Sequence, residues 1–469
     1  MMDVNGKHRR QILRGLGASA LTATALSGAP SRFTAHAADT SNYQALVCVF
    51  LFGGLDHNEV LIPYDTASYR RFRTLRSSLI IEQGESRQRE RLLPITMQQN
   101  SVLQGRQMAM PPELPALKAL FDRGDLAIVG NVGPLLEPVT RQRFERSAAR
   151  LPPRLFSHND QQSTWQASAP EGAQFGWGGL FADAVLATGA NQRQPQFTTI
   201  ASNEVGPFLT GRQVVPYRVG VKGAARVHLL DDYYDGFAEE RAESLAAIRA
   251  QLAAQRFSGE HVLEQDLARA FAAAFDTNEA YDRARQAGDP LTTEFPQGPL
   301  GQQLHAVAET INVREQLFAN KQVFFVGLGG FDTHSAQAEN LPRLLEEVDG
   351  AMAAFYRAMT ELELQEQVTL FTASDFGRTL AVNGDGTDHG WGGHHLVLGG
   401  AVKGGEIYGA MPPTELGHDA DCGSGRLIPT MAVEQYAAEL GRWFGLSQTE
   451  LTNALPNLSR FDALKRTFL

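Results

Sequence analysis

Asp332 and His334 stand either side of one threonine in GGFDTHSA (329–336), directly after the apolar run KQVFFVGL. In an extended segment, alternate residues point to the same side, so a carboxylate and an imidazole there can reach one point in space. Neither group gains from the end of a buried strand unless something there needs it. A divalent metal ion would, because carboxylate oxygen and imidazole nitrogen together suit zinc, manganese and their neighbours. The same types recur at four other places. FLFGGLDHNE holds Asp56, His57 and Glu59; RLFSHNDQQSTW holds Ser157, His158 and Asp160; TASDFGRT and GTDHGWGGHH hold Asp375, Asp388, His389, His394 and His395. Thiolate is absent from the set. Hard carboxylates alone would suit magnesium or calcium better. Two ions roughly 4 Å apart could clamp the attacking and leaving oxygens of a phosphoryl transfer.

Each group also has a plainer reading. Asp56 can satisfy the backbone N–H groups of a glycine turn, Ser157 with Asp160 three residues on resembles a capping box, and Asp375 can cap a helix. His394 and His395 open a strand, where only one of them can face a given side. His57, His228, His261, His305 and His418 are assigned to surface or core.

The elements that must position these residues are short apolar runs bounded by glycine, proline or charge, which read as buried strands. They are ALVCVFLFGG (45–54), LAIVGNVGP (126–134), QVFFVGLGG (322–330), QVTLFTASD (367–375) and HLVLGGAV (395–402). Helical spacing appears in PELPALKALFDRG (112–124) and in LPRLLEEVDGAMAAFYRAMTELEL (341–364), the latter weakened at Gly350. The alternation predicts an α/β fold with a mostly parallel central sheet flanked by helices on both faces. In such sheets, sites form beyond the carboxyl ends of the strands, which is where the acids and imidazoles fall. Residues 235–320 are rich in Ala, Glu, Arg and Gln and predict a mainly helical insertion. Residues 38–469 read as a single domain.

Residues 1–37 read as a targeting segment. Arg9 and Arg10 precede the small, apolar run GASALTATALSGAP, and the stretch ends in AHA, a small-x-small cleavage pattern. RRQIL resembles a twin-arginine export signal, which predicts export by the twin-arginine translocase to the periplasm or beyond. Removing this segment, with its five Lys/Arg and one Asp, takes the net charge from −10 to −14. So acidic a chain is a poor partner for nucleic acid. No run after residue 40 approaches the ~18 apolar residues of a transmembrane helix. With two cysteines, Cys48 and Cys422, a disulfide scaffold is excluded.

VFLFGGLDHNEVLIPYD, SHNDQQ, GGFDTH, TASDFGRT, GTDHGWGG and LVLGGAVKGGEIYG, in this order, resemble the domain-of-unknown-function family numbered 1501. That family is in turn similar to the alkaline phosphatase and sulfatase superfamily. The resemblance implies a central sheet flanked by helices, one or two divalent metals (zinc, manganese, calcium or magnesium), and a nucleophile at a helix start after an early strand. Carried onto this chain, Asp56 matches the first-strand ligand, Asp332 and His334 an Asp-and-His pair, Asp375 the later Asp, and His389 the late His. Ser157 lies where a nucleophile would lie. Three departures stand out. The superfamily's Asp-x-x-x-His is here Asp332-x-His334. Phe376, which cannot ligate, follows Asp375. A formylglycine motif CxPxR is missing.

These readings predict an exported, metal-dependent hydrolase of phosphate or sulfate esters, on a small-molecule or polysaccharide substrate. The metal ligands are Asp56, Asp332, His334, Asp375 and His389. Ser157 is the candidate nucleophile and His158 a general acid or base. Arg378 and Arg154 are the candidate oxyanion contacts. The alternative is an exported binding or assembly protein that keeps the fold without the activity, and Phe376 is the feature that favours it.

Overall fold

The computed structural model describes residues 42–97, 102–202, 206–220, 223–224, 238–258 and 262–469. The targeting segment 1–37, His228 and His261 lie outside the described residues.

All five predicted strands form. In chain order the strands relevant here are β1 (Gln44–Leu51), β2 (Leu126–Gly133), β3 (Thr199–Ala201), β4 (Tyr217–Gly220), β5 (Gly223–Ala224), β6 (Lys321–Leu328), β7 (Val368–Ser374), β8 (Arg378–Val382), β9 (Thr387–His389), β10 (Gly393–Leu398), β11 (Ile407–Gly409) and β12 (Met431–Ala432). Ten of them make one sheet, in the order β11-β2-β10-β7-β1-β6-β3-β4-β5, with β12 also on β2. β8 and β9 pair separately as an antiparallel ribbon. The large sheet is mostly parallel. β10 is antiparallel to both its neighbours and β5 antiparallel to β4.

β1 is central, parallel to β7 on one side and to β6 on the other. The register sets Leu51 beside both Leu328 and Ser374. Three strands therefore end level, and the segments carrying Asp56, Asp332 and Asp375 leave the sheet side by side.

Both faces of β1 are covered, as its unbroken apolar sequence requires. Val47, Val49 and Leu51 pack with Leu117 and Phe121 of α1 (Pro115–Arg123). Leu46, Cys48 and Phe50 face the other way, onto Trp165 of α2 (His158–Ala167) and Trp177 and Phe181 of α3 (Trp177–Ala187). Fully burying each side chain of this size contributes about 1.5–3 kcal/mol.

The region 235–320 holds α4 (Ala238–Ser258), α5 (Val262–Ala287) and α6 (Pro299–Asn312). α6 lies in the main core, where Leu304 and Ile311 join Leu345 and Met352 of α7 (Gln337–Glu361). α7 starts before the predicted Leu341 and runs through Pro342 and Gly350. Its first turn is capped from outside. Asp385 takes the N–H of Ala336 on its carboxylate at 3.0 Å and that of Gln337 on its carbonyl at 3.0 Å. Toward the C-terminus, α8 (Val433–Trp443) covers the face opposite α7 with Tyr436 and Leu440. No described helix is long and apolar enough to cross a membrane.

Candidate metal centre

The chain leaves β6 through Gly329 and Gly330, the latter at φ 103°, and presents Asp332 beyond the sheet edge. The turn after β1 leaves room for it: a Cβ on Gly53 would run into the backbone of Asp332. Asp332 Oδ1 accepts a hydrogen bond from Arg378 Nη1 at 2.8 Å. Arg378 is completely buried, and its remaining N–H groups go to Gly53 O at 3.1 Å and to the hydroxyl and carbonyl of Thr387. The guanidinium predicted to meet substrate is thus spent on holding Asp332. Partial burial works to raise the Asp332 pKa, but the Arg378 hydrogen bond and charge outweigh it and leave the carboxyl below its ordinary value.

Three imidazoles converge on this carboxylate. His334 Nε2 lies 3.2 Å from Asp332 Oδ1. His389 Nε2 lies 3.2 Å from the same oxygen and 2.8 Å from His334 Nε2. His158 Nε2 lies 3.5 Å from Asp332 Oδ2. Ligands at the ~2.0–2.1 Å of zinc–nitrogen or zinc–oxygen bonds stand about 3.3 Å apart at the corners of a tetrahedron. The spacings from the imidazoles to the Asp332 oxygens are close to that figure, while His334 and His389 stand closer to each other. One ligand atom each from His158, Asp332 and His389 falls within 4.8 Å of the others.

The far nitrogen of each ring faces an oxygen, at hydrogen-bond distance for His158 and His389. His158 Nδ1 is 2.7 Å from Asp375 Oδ2, His389 Nδ1 is 2.7 Å from Phe156 O, and His334 Nδ1 is 3.5 Å from Asp388 Oδ1. At His158 and His389 an acceptor at Nδ1 holds the ring proton there and leaves the Nε2 lone pair for an ion, the usual arrangement behind metal-bound histidine, whereas His334 meets the His389 Nε2 through its own Nε2. For His389 the tautomer follows strictly, because a carbonyl only accepts, while burial lowers the ring's pKa and keeps it neutral. His158 shifts the other way: its hydrogen bond to Asp375 raises its pKa.

Asp375, predicted as a ligand, stands one residue behind the convergence and orients His158. Gln162, one helical turn after His158, donates to the same Asp375 Oδ2 at 2.8 Å. Asp375 Oδ1 is buried without a hydrogen-bond partner among the described residues, so the carboxylate keeps an unused lone pair beside the site. Phe376 does not reach toward an ion either. Its buried ring packs against His158 and His389, with centroids 5.0 and 4.5 Å away.

Asp56 is not brought into the group. It is buried, forms an ion pair with Arg76, and accepts from Gln337 Nε2 at 2.6 Å and from the backbone of Asn58 at 3.1 Å. Arg76 continues to Glu59 at 3.2 Å, and Glu59 to Arg87 at 2.8 Å. Asp56 therefore already has its cation. Gln337 Oε1 links this network to the site by accepting from Thr333 and Thr387 at 3.0 and 2.7 Å.

Ser157 is the N-cap of α2, but its hydroxyl makes no capping hydrogen bond, so it remains available beside His158. Arg154 pairs with buried Asp160 at 3.3 Å, its side chain mostly in solvent. Sequence reading missed Gln162, Gln337, the Phe156 carbonyl and Arg426, whose Nε donates to His389 O at 2.7 Å. Of these only Gln162 had a signal, four residues after His158 on one helical face.

The other buried histidines do not join. His394 Nδ1 accepts the backbone N–H of Asn131 at 3.0 Å, which puts the ring proton on Nε2. His57 packs edge-on to His394, with both nitrogens unpartnered among the described residues, and His395 lies against Trp165. Burial lowers the pKa of all three, for His57 and His395 to about 3.

No curated protein matches the sequence. Among solved structures, the C-terminal periplasmic domain of EcEptC from Escherichia coli is 9% identical at a TM-score of 0.34, covering 92% of this chain and 90% of that one. A structure of the same domain in complex with Zn gives 9% and 0.31, over 77% of this chain and 74% of that chain. Ps i-CgsB in complex with k-i-k-neocarrahexaose gives 10% and 0.32, over 90% and 77%. At these values the likeness says nothing about chemistry. The family evidence is of another order, since residues 43–453 match a single family description from just before β1 to the last helices. The chain belongs to the family described as protein of unknown function DUF1501.

Proposed function

We propose that this chain is an exported hydrolase of phosphate or sulfate esters that works with one zinc ion held by His158, Asp332, His334 and His389. The observation that carries the reading is the convergence of three imidazole Nε2 atoms on one carboxylate, with an oxygen acceptor behind the His158 and His389 rings. Three nitrogens and one oxygen favour zinc over magnesium or calcium, which take oxygen. When bound, the ion would polarise an ester oxygen and acidify a water or hydroxyl beside it.

The protein's own groups supply the rest. Arg378 offsets the Asp332 charge, so the ligand set does not cancel the ion's charge. Asp375 and Gln162 hold His158, and the Phe156 carbonyl holds His389, so the geometry is set before substrate arrives. Ser157, uncapped at the start of α2, is the candidate nucleophile. Asp332 and His334 are 46% and 43% exposed, which leaves the centre accessible to a bulky or polymeric ester.

A second reading, an exported binding or assembly protein, is favoured by Phe376, whose ring occupies the position after Asp375 where a second ligand would stand. The test is zinc per chain after purification without chelator, followed by hydrolysis of p-nitrophenyl sulfate and p-nitrophenyl phosphate by the native protein and Ser157→Ala. Zinc near one per chain, with activity lost in Ser157→Ala, supports the enzyme. Zinc with no hydrolysis of either ester favours the binding protein, and no zinc overturns both the site and the activity.

A further inference from the structure

We infer that Arg426 is a positioning residue of the metal centre, delivered by a loop wound around the Asp421 carboxylate; this rests on the proposed zinc site. His389 comes from the short strand β9, on a small ribbon away from the main sheet, and needs support from elsewhere. Arg426 supplies it at two points. Its Nε donates to His389 O at 2.7 Å, and its guanidinium lies over the Phe156 ring, 5.5 Å from the centroid. Phe156 O is the acceptor for His389 Nδ1. One side chain thus grips the backbone of His389 and the residue that sets its tautomer. Phe156 also precedes Ser157 and His158, so the same side chain ties β9 to the start of α2.

Phe156 has φ 71°, a left-handed conformation unfavourable for an aromatic residue unless its surroundings impose it. Arg426 stacked on the ring is one such constraint.

The loop that carries Arg426 is built for delivery. Asp421, nearly fully buried, accepts from Gly423 N at 2.7 Å and Gly425 N at 2.9 Å on Oδ1, and from Gly417 N at 2.7 Å on Oδ2. Gly423, Ser424 and Gly425 all have positive φ, of 120°, 59° and 74°. Three successive left-handed residues form a tight coil around one carboxylate, and glycine at two of them makes it accessible. Arg426 Nη1 then turns back to Gly423 O at 3.3 Å, which fixes its direction. Arginine suits the task because a planar guanidinium can stack and donate at once, which an ammonium cannot.

The test compares Arg426→Gln, Arg426→Lys and Asp421→Asn with the native full-length mature protein. Zn²⁺ affinity is measured by chelator competition, and the His389 tautomer by ¹⁵N NMR of the metal-free protein. Arg426→Gln should weaken Zn²⁺ binding ~10–100-fold, the usual effect of losing a group that orients a ligand. The same variant should lose the uniform Nδ1–H form of His389. Arg426→Lys should recover only part of the affinity, and Asp421→Asn should resemble Arg426→Gln. Native affinity and an unchanged His389 tautomer in folded Arg426→Gln would overturn the inference. Absence of Zn²⁺ binding by the native protein would overturn the zinc site instead, while the metal-free tautomer would still decide whether Arg426 positions His389.

Discussion

Two groups of histidines lie beneath and beyond the same sheet edge, and they differ in what stands behind each ring. In the open group of His158, His334 and His389, the Nδ1 of His158 and of His389 each faces an oxygen that accepts. In the buried group of His57, His394 and His395, the one ring with a partner at Nδ1 meets a backbone N–H that donates. The first arrangement frees Nε2 lone pairs for an ion; the second turns the His394 Nε2 into a donor. Asp332 stands among the open rings. The number of imidazoles is equal in both groups. The direction of the hydrogen bond behind the ring differs between them.

The comparison breaks most sharply by exchange of first ligands. Asp332→Ala should lose at least the ~10–100-fold in Zn²⁺ affinity that supporting residues typically cost, because it removes the carboxylate on which the three imidazoles converge. His394→Gln should leave zinc binding unchanged. Metal per chain, measured on the two variants side by side, would reverse the assignment if the losses fell the other way.

Asp375→Asn should have an intermediate effect and a signature in pH. The His158 pKa is raised by its hydrogen bond to Asp375, so protons compete with the ion for Nε2 over a range above the ordinary imidazole value. Zinc affinity should therefore climb as pH rises through that range and then level off. In Asp375→Asn the climb should shift to lower pH, with affinity reduced ~10–100-fold at the plateau. The sign for stability is opposite. The metal-free His158–Asp375 pair stabilises the fold fully below the unfolded histidine pKa, and this is lost as pH rises through the raised folded value. An unshifted zinc profile in Asp375→Asn would mean that Asp375 does not govern His158.

The smallest effect belongs to the buried group. His394→Leu leaves the Asn131 N–H without an acceptor and should cost about 1–3 kcal/mol of stability, read as a lower urea midpoint with zinc affinity intact. A variant with native stability would show that the His394–Asn131 bond carries no weight.

Much of the centre was legible in the chain. Strand ends bring chemistry to one edge of an open sheet, so Asp332, His334 and His389 could be named from residue type and place alone. Asp56 and Asp375 passed the same criteria and yet do other work. Asp56 answers to Arg76, twenty residues away with no periodic relation to it, and Asp375 lies behind His158 rather than beside it. Both outcomes depend on which side chain arrives opposite, and that is set by packing among distant elements.

The sequence by itself determined the layered α/β fold. Continuous apolar runs such as ALVCVFLF must be buried on both faces, and helical spacing between them supplies the cover. It also determined that acids and imidazoles would crowd the carboxyl edge. Only the tertiary structure decided the division of labour there. The level ends of β1, β6 and β7, the buried Arg378 against Asp332, and the acceptors behind the His158 and His389 rings all come from pairings between residues up to several hundred positions apart. A hydrogen bond's direction and a buried ion's partner are properties of such pairings, and no local pattern encodes them.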